Sequence, residues 1–278
     1  MKNCIVSQVH IPPYDIQGSI TSEQKKRIVG ISIAHLRKMN PDSYIILIGH
    51  GERPSDKVVE TCDYFHWEEL HPLNNRGLVV EMPAQFHFVS RGIKHAKEKG
   101  FTHCLKTRAD CIIGIPNIVD EAHKIIESEN KKLLITQETH RRYPQMGDCF
   151  MYGEADLLDS IWDYENPVLC ESDGLMNTGL NFIKAMNSTE SNWKSLLKQT
   201  CSFRNVNTLK FMCLRWNFNF LTDDDIHDIL NDNYDYNQYH WGKSNGWASF
   251  DADGNILRSP KDWYSENTFY SESLLGEF

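Results

Sequence analysis

Five consecutive residues, Lys106-Thr-Arg-Ala-Asp110, combine two cations and a carboxylate at the end of a predicted buried strand. That strand begins at His103 and follows a helical segment ending at Gly100, a residue type common just after helices. Ligands of open α/β sheets bind beside the carboxyl ends of strands. A carboxylate there can bind a divalent metal, and lysine or arginine can pair with phosphate oxygens. The pattern by itself fits a surface ion pair at a strand end as well as a ligand site, and it predicts a nucleotide-sugar site only together with neighbouring segments of the sequence.

Lys106, Arg108 and Asp110 lie on one face if the strand continues through them, because side chains alternate along a strand. We therefore treat them as one candidate site, with Asp110 as a ligand of Mn²⁺ or Mg²⁺ and the two cations on the donor diphosphate. Glycosyl transfer needs such charges on the leaving group, and an inverting enzyme also needs a carboxylate or histidine as base. Alternating polar residues also occur on any solvent-facing strand.

Composition limits the classes of function. The chain has 278 residues, 40% hydrophobic and 24% charged, as in soluble globular proteins. A net charge of −9 argues against nonspecific nucleic-acid binding, so an anion site must be a local basic pocket. Its candidate residues are Arg76, Lys106, Arg108, Arg141 and Arg142.

The chain also lacks an apolar run long enough to cross a membrane. The apolar stretch among its first residues is too short for a signal peptide. Eight cysteines without metal-binding spacing predict reduced, buried thiols. A cytoplasmic enzyme is expected.

Strand-like and helix-like segments alternate along the sequence, which predicts an α/β fold with a mainly parallel sheet. The predicted strands cover residues 4–9, 44–48, 58–65, 103–106, 132–136 and 148–152. The predicted helices cover 23–39, 83–99, 118–127, 154–164 and 179–186, and a further one follows Thr222. Residues 251–255 are expected to form a hairpin turn rather than a calcium loop. No linker-like stretch is visible, so one domain is expected over 1–278.

Several segments together resemble the WavE-type lipopolysaccharide glycosyltransferases. The resemblance covers about residues 16 to 165 and rests on Ile16-Gln-Gly-Ser-Ile-Thr21, Asn75-Arg76, Gly92-Ile-Lys-His-Ala96, Leu105–Asp110 and Gly147-Asp-Cys-Phe-Met-Tyr-Gly153. Two departures stand out: Ser19 replaces a proline, and Arg108-Ala-Asp110 replaces an Asp-x-Asp pair. One carboxylate has thus become a cation, which leaves open whether a metal or cations neutralise the diphosphate.

The resemblance implies a GT-A-like fold that binds a nucleotide-sugar, usually with Mn²⁺ or Mg²⁺, and transfers the sugar to a glycan. It implies a donor-binding half over 1–116, an acceptor half over 117–230 and a closing hairpin or flap over 231–278. Donor contacts are then expected from Gln17, Gly18, Arg76, Lys106 and Arg108.

Three carboxylates are candidates for the catalytic base. Glu171 and Asp173 follow an apolar stretch where GT-A enzymes often carry an acceptor-side acid, and Asp148 opens a predicted strand. Helix capping by Ser172 or Asp173 is the alternative for the first pair and suits Asp173 better than Glu171, and a hydrogen bond to a loop would explain Asp148 equally well. His240, among aromatic residues, is a candidate second metal ligand, although packing alone would also account for it.

Two other functions remain open. A sugar nucleotidyltransferase would want a glycine-rich basic signature near the N-terminus, which residues 4–20 lack. A catalytically inactive glycan-binding protein could use the aromatic residues of the C-terminal segment as sugar platforms. The candidates are Trp241, Trp247, Trp263 and Tyr264.

Overall fold

A computed structural model describes residues 3–11, 21–69, 81–135, 138–140, 144–146, 149–170, 176–204, 209–214, 222–231, 233, 249–250 and 256–258. Its strands are β1 Cys4–Ile11, β2 Tyr44–Gly51, β3 Tyr64–Glu68, β4 His103–Arg108, β5 Cys111–Ile113, β6 Leu133–Ile135, β7 Glu138–His140, β8 Pro144–Met146, β9 Phe150–Glu154, β10 Cys201–Phe203, β11 Phe211–Cys213, β12 Ser249–Phe250 and β13 Ile256–Arg258. Its helices are α1 Ser22–Met39, α2 Asp56–Glu60, α3 Glu81–Glu98, α4 Ile118–Ser128, α5 Ala155–Ile161, α6 Thr178–Ala185, α7 Trp193–Thr200 and α8 Asp223–Asn231.

The central sheet has the strand order β10-β6-β9-β4-β1-β2-β3. Its pairs are parallel except those of β9, which runs antiparallel between β4 and β6. Strands β5 and β11 form a separate antiparallel pair, which continues from the end of β4. The predicted α/β fold class with a mainly parallel central sheet is confirmed.

Helices cover both faces of this sheet, because its strands carry apolar side chains on both faces. One hydrophobic cluster joins the sheet to α1, α2, α4 and α8 and includes the β5–β11 pair. The other joins it to α3, α5, α6 and α7. Strand β1 contributes to both clusters, with Ile5 on one face and Val6 on the other. Among the described residues, no helix is long and apolar enough to cross a membrane.

Helix α1 begins where the sequence predicts, because Thr21 forms a capping box with Gln24. The Gln24 amide donates to the Thr21 hydroxyl at 3.1 Å, and the Thr21 amide donates to the Gln24 side chain at 2.8 Å. Helix α8 repeats the arrangement: the Asp225 amide donates to the Thr222 hydroxyl, and the Thr222 amide donates to the Asp225 carboxylate.

The strand predicted over 58–65 is wrong. Residues 56–60 form helix α2, and strand β3 starts only at Tyr64. Val58 and Cys62 are four residues apart, which brings them to one face of a helical turn, and both pack against the cluster on the α1 side. The hairpin predicted around 251–255 agrees with the antiparallel pairing of β12 and β13, while the turn itself lies outside the described residues. The division into one domain with three parts stays a prediction.

Candidate functional site

The sheet has a topological switch point between β1 and β4. The chain proceeds from β1 outward to β2 and β3 on one side, and returns to place β4 on the other side of β1. The two strands are parallel, and β4 ends at Arg108 opposite Gln8, three residues before the end of β1. The Ala109 amide donates to the Gln8 carbonyl at 2.9 Å. Ligands of open α/β sheets bind in the crevice at such a point. The Lys106–Asp110 stretch therefore ends at the expected edge of the sheet.

Asp110 lies at this edge in a buried ion cluster. Arg108 donates to both of its carboxylate oxygens, from Nε to Oδ1 at 2.9 Å and from Nη2 to Oδ2 at 2.8 Å. Lys25 of α1 donates to Oδ2 from the other side. The Asp110 side chain is 0% exposed, whereas that of Arg108 is 18% exposed. The cluster thus joins α1 to the end of β4.

The protonation state of Asp110 follows from these partners. Burial alone raises the pKa of a carboxyl group, but the charges of Arg108 and Lys25 and their hydrogen bonds hold the pKa of Asp110 well below its ordinary value. Asp110 is therefore a carboxylate at neutral pH, and it orients the Arg108 guanidinium at the crevice.

The position of Asp110 differs from the sequence expectation. Strand β4 ends at Arg108, and Asp110 lies in the turn that leads into β5, so the three charged residues do not share one strand. Lys106 is fully buried, and its Nζ lies 4.4 Å from the centre of the Trp162 ring. Its ammonium group therefore makes a cation–π contact on the α5 side of the sheet.

Seven of the predicted site residues lie outside the described residues. They are the candidate bases Glu171, Asp173 and Asp148, the donor-site residues Gln17, Gly18 and Arg76, and the candidate metal ligand His240. In the sequence, Gln17 and Gly18 lie between β1 and α1. Their roles stay predictions.

Asp110 also adjoins a group of thiols. Among the described residues, Asp110, Cys111 and Cys213 form the group of potential ligands close enough to hold a metal ion, with ligand atoms within 4.8 Å of one another. The thiols of Cys149 and Cys213 both influence the pKa of Cys111. Burial first, and then the two neighbouring thiols, raise the pKa of Cys111.

The ligand set fits Mn²⁺ and Mg²⁺ poorly in the described part of the chain. Both of those ions prefer several oxygen ligands, whereas the atoms beside Asp110 are sulfur. Both Asp110 oxygens, moreover, already accept hydrogen bonds from cations. The assignment of Asp110 to such a metal stays a prediction that depends on residues such as His240.

Sequence reasoning missed two features at this edge. Lys25 shares one helical face with Ile28, Val29, Ser32 and Leu36, and a lysine within such a stripe is a signal of a buried charge partner. His10 and His50 lie opposite each other, one residue before the ends of β1 and β2, and their ring centres are 4.2 Å apart with an interplanar angle of 1°. Only the register of the sheet brings these two histidines together.

No family model and no curated protein matches this sequence. The WavE-type resemblance therefore stays an expectation. Solved structures match over most of the chain at low sequence identity. A proposed nucleotide-diphospho-sugar transferase from Desulfovibrio desulfuricans has a TM-score of 0.45 and 9% identity, covering 84% of this chain and 96% of that one. A cytidylyltransferase from Leptospira borgpetersenii has a TM-score of 0.44 and 12% identity, covering 83% and 93%. A glycosyltransferase involved in glycosylation of the major capsid of PBCV-1 has a TM-score of 0.37 and 12% identity, covering 74% and 82%.

Proposed function

We propose that the protein is a glycosyltransferase that moves a sugar from a nucleotide-sugar to a surface-glycan acceptor in the cytoplasm. The observation that supports this most is the position of Arg108. Its guanidinium group lies at the switch point of the sheet, is partly exposed, and is held in orientation by a bidentate pair with Asp110. A guanidinium fork of this kind matches the oxygens of a diphosphate, and fixing it beforehand reduces the entropy lost on binding.

In this proposal the donor diphosphate is neutralised chiefly by arginine and lysine. Arg108 contacts the phosphates, Lys106 and Lys25 add positive potential, and Arg76, Gln17 and Gly18 complete the donor pocket. Asp110 would accept Mn²⁺ or Mg²⁺ only by exchanging one of its cationic partners. With His240 as a second ligand, such an ion would add Lewis-acid charge on the leaving group. Glu171 or Asp173, with Asp148 as the remaining candidate, would take the proton from the acceptor hydroxyl.

Nucleotide binding tests the donor site directly. The melting temperature of the purified protein is measured with nucleosides, nucleoside diphosphates and a panel of nucleotide-sugars, with and without excess chelator. We expect the nucleoside diphosphate and the nucleotide-sugars of one base to raise the melting temperature by mass action. The nucleoside of the same base should not raise it. Arg108→Gln should weaken that binding about 10- to 100-fold, because a hydrogen bond to a charged group contributes about 1.5–3 kcal/mol. Loss of binding in chelator would show that a metal carries the diphosphate.

Arg37→Gln is the matched control. Arg37 also pairs with a carboxylate, Asp63, but near the start of β2 and β3 rather than at the carboxyl edge of the sheet. Its replacement should lower stability without changing nucleotide affinity. Equal affinity in Arg108→Gln and in the parent would contradict the proposal. A nucleotidyltransferase would instead be favoured if a nucleoside triphosphate together with a sugar 1-phosphate raised the melting temperature and if the protein released pyrophosphate from them.

Single-turnover assays with the same donor then separate binding from chemistry. Replacement of the true base, by Glu171→Gln or Asp173→Asn, should leave donor binding intact and slow transfer by about 10²–10⁴-fold. Full turnover in both variants would exclude both residues as the base and leave Asp148 to be tested.

A further inference from the structure

A groove follows the outer face of α3, and none of the described donor-site residues lines it. It encloses about 330 Å³, which lies within the range of about 300–1,000 Å³ that ligand pockets occupy. The α3 residues that line it lie on one face of the helix from His87 to Glu98, so the groove is about 16 Å long. Two neighbouring elements complete it, because Tyr64 opens β3 and Tyr164 and Glu165 follow α5.

Two tyrosines of this groove are held in position by histidines of α3. The Tyr64 ring stacks on the His95 ring, with ring centres 3.6 Å apart and an interplanar angle of 15°. The Tyr164 ring meets the His87 ring in a T-shaped contact, with centres 4.9 Å apart. Both tyrosines are half-buried, so part of each side chain faces solvent in the groove. An aromatic ring offers an apolar surface with a polar edge, which suits the C–H faces and hydroxyl groups of a sugar.

The charged side chains that line the groove balance one another. Arg91 and Lys94 carry two positive charges, and Glu98 and Glu165 carry two negative charges. Burial first, and then the charge of Lys99, lower the pKa of His95, so this ring is neutral at neutral pH. A cleft attracts ions when charges of one sign line it. The groove therefore favours a neutral ligand over phosphate or a carboxylate.

These charged groups keep hydrogen-bonding capacity for a ligand. The Lys94 Nζ donates to Glu165 Oε1 at 2.6 Å, and the Arg91 Nη1 lies 3.6 Å from Glu68 Oε1. Arg91, Glu98 and Glu165 are exposed. A guanidinium group has five N–H donors and a carboxylate has about four acceptor sites, so one contact satisfies neither group. Donors and acceptors placed side by side in this way can bind the adjacent hydroxyl groups of a sugar ring.

We propose that this groove binds a neutral segment of a glycan chain, apart from the site of sugar transfer. The contact between Arg91 and Glu68, the last residue of β3, lies at the end of the groove nearest the carboxyl edge of the sheet. That edge also carries the proposed donor site. A glycan held along α3 would extend toward the crevice, where this second attachment raises the effective concentration of its reacting end. The identification of the glycan as the acceptor rests on the proposed glycosyl transfer, whereas binding in the groove does not.

Glycan binding can be measured without donor and without turnover. The purified protein is titrated with neutral oligosaccharides that end in glucose, galactose, mannose or N-acetylglucosamine. Saturation-transfer NMR identifies the sugar protons that contact the protein, and calorimetry gives the affinity. We expect at least one of these oligosaccharides to bind, with saturation strongest at the C–H protons of one sugar face. Inorganic phosphate should not compete with it.

Two variants locate that binding in the groove. Arg91→Gln should weaken it about 10-fold or more, because a hydrogen bond from a charged group is lost. Tyr164→Leu should also weaken it, because the aromatic surface is lost. Phe65→Leu is the matched control and should bind normally, because Phe65 is a half-buried aromatic residue of β3 that packs against the cluster on the α1 side. Arg91 is exposed, so Arg91→Gln still decides the question if Tyr164→Leu fails to fold.

Three results would overturn the proposal: no binding of these oligosaccharides by the parent protein, competition by phosphate, or parental affinity in both groove variants. The nucleotide measurements described above keep this test separate from the proposed transfer. Nucleotide binding without glycan binding would reject the groove site alone. Glycan binding that depends on Arg91, in a protein that binds no nucleotide, would confirm the groove site and reject the transfer.

Discussion

Asp110 is a buried carboxylate that depends on partners from two different elements. Arg108 pairs with it from two residues before, and Lys25 from a helix 85 residues earlier in the chain. Removing one partner of a buried ion pair leaves an uncompensated charge, which costs far more than breaking an exposed pair. This one group therefore links the position of α1 to the proposed donor site.

Urea unfolding of a double-mutant cycle tests that dependence. Asp110→Asn should lower the free energy of unfolding by about 3–5 kcal/mol, because two buried cations lose their carboxylate. Lys25→Met should lower it by less, since Arg108 still pairs with Asp110. The double variant should be more stable than additivity predicts, by about 0.5–3 kcal/mol.

The surface pair of Arg27 and Asp223 is the matched control for that cycle. Its side chains are 54% and 89% exposed, so the same cycle there should give a coupling energy of about 0–1 kcal/mol. Equal coupling at the two pairs would show that Asp110 is solvated in solution and not buried.

At the scale of elements, the site depends on how closely α3 packs under β1 and β2. Gly92 lies within α3, and a Cβ atom there would come within 2.6 Å of the Val6 side chain in β1. Any larger residue requires the Val6 side chain or the helix itself to move. Gly30 in α1 differs, because its Cβ would meet only Val58, at an ordinary 3.7 Å.

Gly92→Ala and Gly30→Ala should consequently change stability in opposite directions. Alanine favours a helix over glycine by about 1 kcal/mol at either position. At Gly92 the overpacking, about 1–3 kcal/mol, should exceed that gain and lower the free energy of unfolding. At Gly30, where no overpacking opposes the helix propensity of alanine, the free energy of unfolding should rise. Thermal unfolding would show shifts of opposite sign, and stabilisation by Gly92→Ala would mean that α3 lies further from β1 than the structure places it.

At the scale of the whole molecule, two half-buried histidines set part of the pH dependence of stability. Burial first, and then the charge of Lys99, lower the pKa of His95. Burial first, and then His123, lower the pKa of His103. As pH falls below about 6.5, the unfolded chain takes up these protons before the folded protein does, so stability falls. The loss ends once the pH is below the folded pKa values.

The melting temperature should accordingly decrease as the pH is lowered from 7 toward 5, above the range in which most carboxylates titrate. His95→Gln with His103→Gln should flatten that part of the curve. An equally steep curve in the double variant would assign the pH dependence to other groups. The measurement needs only a thermal melt at each pH.

The sequence by itself determined the α/β class and most element positions. Apolar runs of strand length alternate with helical stripes, and local chemistry at Thr21 and at Thr222 fixes where two helices begin. These signals act over a few residues, so they can be read from the chain. The error over 58–65 arose because Val58 and Cys62 fit a strand and a helical turn about equally well, and packing against the cluster on the α1 side decided between them.

Tertiary structure alone decided the chemistry of the candidate site. The Lys106–Asp110 pattern indicated charges at a strand end, but not that Asp110 pairs with Lys25 or that Lys106 lies over Trp162. The cysteines had no metal-like spacing in sequence, yet the register of β5 with β11 places Cys111 opposite Cys213. Strand pairing and helix packing set such distances between residues far apart in the chain, and no local residue pattern contains that information.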